Sequence, residues 1–138
     1  MKKLVVKDGR IDNKLLEIYQ FQTHGYAWFE TYRIGLKETF NWFQRLNNQE
    51  KSSEIDSCIT LFAFAEYLTQ MRNGIMMSQS EITRQEDLGL NNKDFYFMDS
   101  NSLKDLIKVG LSEKIKKEIV DSLDKGIFTS LGLNDETL

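Results

Sequence analysis

His24, in the run Thr23-His24-Gly25-Tyr26-Ala27-Trp28-Phe29-Glu30, is the only histidine of the chain. Its side chain titrates near neutrality and both binds metals and moves protons. A metal site would call for further His or Cys ligands, or for a Glu-x-x-His pair on each of two helices; Glu17 and Glu66 have no such companion, so no metal site is expected. As a general base His24 lacks an evident nucleophile, and only a polar pair with nearby Glu30, in an aromatic setting, recommends a catalytic role. The expected state of His24 is a partly buried side chain bonded to a neighbouring carbonyl or carboxylate. Cys58, the lone cysteine, stands among Ile55, Ile59 and Phe62 and reads as an inert core residue. Glu81, Arg84, Glu86 and Asp87 form a charged cluster that is either a solvated turn or a partner-facing patch. No phosphate-cradling glycine loop is present.

These residues must be positioned by helices. From Asn13 to Asn48 the chain holds no proline, opens at Asp12 or Asn13 as N-cap and closes on an Asn-Asn pair, so one long helix is expected. Nine of the sixteen aromatic residues lie inside it, on two adjacent rows. Leu15, Tyr19, Tyr26, Phe29, Leu36, Phe40 and Phe43 make one, and Ile18, Phe21, Trp28, Tyr32, Trp42 and Leu46 the other. Two rows exceed the apolar arc of about 100° that a surface helix needs. Such a helix would run roughly 50 Å, beyond the diameter of about 37 Å of a compact domain of this size. Elongation with a docked partner is expected, the alternative being a bend at Gly25 or Gly35.

A second helix is expected from a Ser52 or Ser53 cap to about Arg72, apolar around most of its circumference and folded back on the first. Asn73-Gly74 stops it. The segment up to Asn92 reads as irregular, with Thr83 and Glu86 as a capping box for one turn ending at Gly89. Residues 93–109 read as one helix or two short ones, with Phe95, Met98, Leu103, Leu106 and Ile107 inward. Ser112 caps a last helix to about Lys125, with Ile115, Ile119, Val120 and Leu123 as its apolar stripe and Gly126 as its stop. The fold class is therefore all-α, an elongated helical bundle built on a long N-terminal helical hairpin. Its expected parts are an N-terminal arm (1–12), a helical module (13–126) and a tail or linker (127–138).

Composition narrows the functions. Eighteen basic against twenty-one acidic residues give a net charge of −3 with no basic stripe, which argues against nucleic acid. No apolar run approaches the roughly 20 residues of a membrane span, and MKKLVVKDGR lacks the apolar core of a secretory signal. A single cysteine fits a reducing cytoplasm. The absence of proline and the abundance of Lys, Asn and Ile point to a bacterial source.

The ordered short motifs carry a resemblance. His24-Gly25-Tyr26-Ala27-Trp28-Phe29 with Thr31-Tyr32 resembles the HGxAWxxTY segment in the amino-terminal extension of acyl-CoA dehydrogenases of the methylsuccinyl-CoA dehydrogenase subgroup. Glu66-Tyr67-Leu68, Gly74-Ile75, Met77-Ser78-Gln79, Glu81, Arg84 and Asp87-Leu88-Gly89-Leu90 are similar to later elements of that extension in the same order, and the tail SLGLNDETL is similar to the approach to the catalytic part. Ala65, Asn73 and Ser80 replace glycines, and Met76 a proline, of the family pattern, so the turn around Met76 is expected to differ. The resemblance implies a non-catalytic accessory module that packs on the catalytic domain or a second subunit, with FAD held only by that catalytic part and no flavin bound here. Partner-binding candidates are Trp28, Tyr32, Trp42, Ser78, Gln79, Glu81 and Arg84, and a possible polar site is His24 with Glu30. The alternatives are a self-associating module, such as a homodimer, and a small enzyme using His24 and Glu30.

Overall fold

The computed structural model describes residues 2–91, 93–94, 96–127 and 129, and for Lys2 and Lys3 the backbone alone. The helical architecture expected from the sequence is present: α2 (Asn13–Ile18), α3 (Gln20–Asn48), α4 (Glu54–Asn73), α5 (Asn101–Gly110) and α6 (Glu113–Asp124) follow a short first helix, α1 (Lys2–Val5). Phe95 and most of the tail, from Phe128 on, lie outside the described residues.

The N-terminal arm is folded. After α1, β1 (Val6–Lys7) turns at Asp8-Gly9 into β2 (Arg10–Ile11), pairing Val6 with Ile11. Both turn residues have positive φ, 52° and 75°, the conformation for which Asp-Gly is suited. Asp12 then caps α2, accepting from the Lys14 and Leu15 amides at 2.9 and 3.1 Å.

The long helix is divided, but at neither glycine. Tyr19 interrupts it with φ −104° and ψ 30°, although the Tyr19 amide still donates to Leu15 O and the Thr23 amide to Tyr19 O. The Thr23 hydroxyl donates back to the Gln20 and Tyr19 carbonyls (2.9 and 3.1 Å), a competition with the ladder that bends helices. Gly25 and Gly35 continue α3, which spans 29 residues, about 43 Å.

Centrality belongs to α4, not to the first helix. Apolar side chains surround it, and it packs against α3, α5 and α6. Ser53 caps it in reciprocal fashion: Asp56 accepts from the Ser53 amide and hydroxyl while the Ser53 hydroxyl meets the Asp56 amide. Gly110 lets α5 end directly on α4; a Cβ there would stand 2.6 Å from the Ala65 Cβ.

The segment read as irregular forms an antiparallel hairpin. β3 (Ile75–Met76) pairs with β4 (Ile82–Thr83) in the register Ile75↔Thr83 and Met76↔Ile82. Alternation decides what it buries: Ile75 and Thr83 are fully enclosed, Met76 and Ile82 exposed. Thr83 therefore belongs to a strand and caps nothing. The 3-10 turn Glu86–Leu88 does end at a left-handed Gly89, but Asp87 stabilises its entry by accepting from the Arg84 amide at 2.7 Å. The Gln85 side chain, buried, donates to the Arg72 carbonyl at 2.9 Å and so closes the end of α4.

A second 3-10 turn, Tyr96–Asp99, precedes α5 and buries Met98 completely. Two apolar clusters result: Phe29, Ile75 and Leu88 with Trp28, Tyr32, Met71 and Leu90; and Leu36, Leu68 and Met98 with Phe64, Met71, Leu103 and Ile107. Met71 joins them. In α6 only Ile115 of the expected stripe is buried, and Val120 and Leu123 are exposed because α4 covers one narrow side of that helix. Among the described residues no helix is long and apolar enough to cross a membrane.

Candidate functional site

His24, Trp28 and Tyr32 are spaced by four along α3 and so share a face. The Trp28 indole N–H donates to His24 Nε2 at 3.1 Å, with the two rings tilted and 6.4 Å apart. Trp28 and Tyr32 meet edge to face at 6.3 Å, and Tyr32 stacks on Tyr67 of α4 at 4.6 Å. The Tyr32 hydroxyl donates to Gln70 Oε1 at 2.7 Å, and Gln70 Nε2 reaches Glu66 at 3.4 Å. The result is an aromatic ladder with one polar thread, fastening α3 to α4. Burial, and secondarily a charge on Tyr67, push the Tyr32 phenol above its ordinary range.

His24 is exposed and accepts from an indole, in place of the expected partly buried histidine bonded to a carbonyl or carboxylate. Glu30 is not its neighbour: six helical positions leave the two side chains about 120° apart around the axis and about 9 Å apart along it. Instead Glu30 pairs with Arg33 at 2.9 Å. Trp42 is half-buried and lies ten positions beyond Tyr32, about 15 Å along the axis.

Ser78, Gln79, Glu81 and Arg84 are exposed around the tip and exit of the β3–β4 hairpin. The Glu81 carbonyl accepts from the Met77 and Ser78 amides, and its carboxylate from the Ser78 hydroxyl at 3.4 Å. The ladder and the hairpin are thus separate groups of candidates, brought to one end of the molecule because Thr83 packs on Gly25.

A cleft of about 250 Å³ between α3, the end of α4 and the Glu86–Leu88 turn was not foreseen. Phe29, Met71, Leu88 and Leu90 make it apolar, and Tyr26, Glu30 and Arg33 form the α3 side of its wall. Only the exposed aromatic at Tyr26 hinted at it. Tyr67 and Gln70, which complete the ladder, were also missed, since a stacking partner across two helices leaves no spacing signal within either. Cys58 is buried as expected; burial first, then Glu54 and Glu118, push its thiol up against the opposing effect of Lys114.

The apolar rows are incompletely enclosed. Phe29, Leu36 and Leu46 are buried, whereas Ile18, Phe21, Tyr26 and Phe40 are exposed along the outside of α2 and α3, as is Ile34, which belongs to neither row. Among the described residues no group of three His, Cys, Asp or Glu side chains could hold a metal ion.

No family model matches the chain. It is 31% identical over 140 residues to the (2S)-methylsuccinyl-CoA dehydrogenase of Cereibacter sphaeroides, an alignment that takes in 99% of this chain and 25% of that protein. The resemblance carried by the ordered motifs is therefore shown: the chain is similar over nearly its whole length to part of a methylsuccinyl-CoA dehydrogenase, and it spans about a quarter of the curated relative it matches.

Proposed function

We propose that this chain acts as a non-catalytic helical module of an acyl-CoA dehydrogenase-type flavoenzyme, packing on the catalytic body or on a second subunit. The observation that supports this most is the similarity along 99% of the chain to a quarter of a dehydrogenase. The bare apolar flank of α2 and α3 supports it physically, because exposed apolar surface of this kind gains free energy when a partner covers it. On this reading the flavin and the acyl-CoA belong to the catalytic body in the cytoplasm, and the ladder and hairpin shape a docking surface.

The test is co-expression of the tagged chain with an FAD-containing catalytic polypeptide of this enzyme type. Co-purification, with a raised thermal midpoint or altered turnover of the catalytic polypeptide, is the expected result. If the two neither associate nor influence each other, the accessory role is wrong. A defined dimer in sedimentation, indifferent to any dehydrogenase, would favour self-association through the same flank.

A further inference from the structure

Tyr26, Glu30, Arg33, Lys37 and Phe40 form a narrow stripe along α3, which Gln22 and Gln44 extend at either end. At about 100° per residue, all seven directions fall within about 40° of that of Tyr26. The fold leaves this stripe uncovered: Gln22 and Glu30 are half-buried and the other five side chains are exposed.

The stripe is palindromic about Arg33. A two-fold axis through Arg33, perpendicular to the helix, sets Tyr26 against Phe40 of a second copy and Gln22 against its Gln44. The same axis sets Glu30 beside Lys37 of the second copy, and Lys37 beside its Glu30. Lys37 has no ion-pair partner among the described residues, so its charge is free to be met from outside. Arg33 stands at the axis, but Glu30 neutralises it at 2.9 Å, and the two guanidinium groups do not meet as bare charges. A parallel pairing would instead set Glu30 on Glu30 and Lys37 on Lys37, a like-charge arrangement that costs affinity. Phe40 of the second copy, opposite Tyr26, faces the mouth of the cleft of about 250 Å³ lined by Phe29, Leu88 and Leu90. An aromatic ring seated there loses its contact with water.

We infer that α3 pairs with α3 of a second copy of this chain, antiparallel and two-fold symmetric about Arg33. Tyr26 and Phe40 make the apolar contact, and reciprocal Glu30–Lys37 pairs fix the direction and the register, as flanking charges do between paired helices. This rests on the accessory reading in its second-subunit form and adds the surface and the orientation. The contact runs over residues 22–44, about 33 Å of helix, and a reversible dimer is the consequence.

Sedimentation velocity of the 138-residue chain over a range of concentrations tests it. A concentration-dependent dimer is expected. Glu30→Lys and Lys37→Glu should each weaken it by roughly tenfold or more, because two symmetric attractions become repulsions. The double variant, Glu30→Lys/Lys37→Glu, exchanges the signs and should restore the dimer to within about threefold of the parent. Orientation is read by cross-linking: under mild oxidation Arg33→Cys should give a covalent dimer and Tyr26→Cys should not, since antiparallel pairing holds the two copies of position 26 about 21 Å apart. Circular dichroism confirms that each variant is folded. A chain that stays monomeric up to about 0.1 mM, a dimer indifferent to the single charge reversals, or a double variant no tighter than the singles overturns the inference. Capture of the catalytic polypeptide is scored separately: a dimer without capture removes the accessory role and keeps the α3 pairing, and capture by a monomeric chain does the reverse.

Discussion

Gly25 of α3 stands so close to Thr83 of β4 that a Cβ on residue 25 would lie 2.9 Å from the Thr83 Cβ. The contact seats the β3–β4 hairpin on the long helix and places Ile75 in the core with Phe29. In Gly25→Ala the gain in helix propensity, about 1 kcal/mol, opposes the overpacking, which typically costs about 1–3 kcal/mol. Because the Thr83 Cβ is tied directly to the backbone, the hairpin must move, the cost lies toward the upper end of that range, and net destabilisation of up to about 2 kcal/mol is expected. Urea titration measures it. In a Thr83→Gly background the penalty should vanish; an unchanged penalty would place the strain elsewhere.

Two further glycines should respond with opposite signs. At Gly35 the nearest atom to an added Cβ is Tyr67 Cε2 at 3.6 Å, an ordinary contact, so Gly35→Ala should stabilise the chain by up to about 1 kcal/mol. At Gly110 an added Cβ would meet the Leu61 carbonyl and the Ala65 Cβ within 2.6 Å, and neither is the movable end of a side chain. Gly110→Ala should cost about 2–3 kcal/mol. Thermal midpoints of the two variants that move in the same direction would contradict this account of α4 as the shared helix.

Alkaline pH should weaken the fold through Cys58. Its thiol is held above the usual range by burial, with Glu54 and Glu118 adding to the effect, so the folded state keeps this proton after the unfolded state has released it. The contribution is fully present below about pH 8.5, the ordinary thiol value, and is lost as pH rises through the folded value. Tyr32 acts in the same sense nearer the ordinary phenol range. Urea midpoints should fall from about pH 8 to about pH 10, with a shallower slope in Cys58→Ala. The thiol of the folded chain should also react more slowly with a disulfide reagent than it does in urea.

Legibility varied with the range of the interaction. Helix positions could be read because caps and stops are local: Asp12, Ser53 and Ser112 all precede helices, whereas the Ser100 cap of α5 was not singled out. The break at Tyr19 was missed because neither a proline nor a glycine marks it. The β3–β4 hairpin was missed because two-residue strands have no period to detect. At the site, Trp28 and Tyr32 could be read as one row, but His24 was paired with Glu30 and not with Trp28, and Tyr67, Gln70 and the apolar cleft arise only where α3 crosses α4.

The exposed row of α3 should separate stability from association. Tyr26, Arg33 and Phe40 recur every seven residues and so line one side of the helix, with Tyr26 at the mouth of the apolar cleft. Tyr26 and Phe40 are 43% and 47% exposed in the isolated chain, so Tyr26→Ser and Phe40→Ser remove little that the fold uses. Each should change the unfolding free energy by no more than about 0.5 kcal/mol, as surface substitutions usually do. If this row is the covered surface, the same changes should weaken capture of the catalytic polypeptide by roughly tenfold or more, the loss expected when an aromatic anchor is truncated. Trp28→Ala provides the contrast. Its ring is half-buried against Phe29 and donates to His24, so it should lower stability by about 2 kcal/mol, less than the 3–5 kcal/mol of a fully enclosed tryptophan. Serine variants that fold normally and bind as tightly as the parent would move the interface off this side of α3.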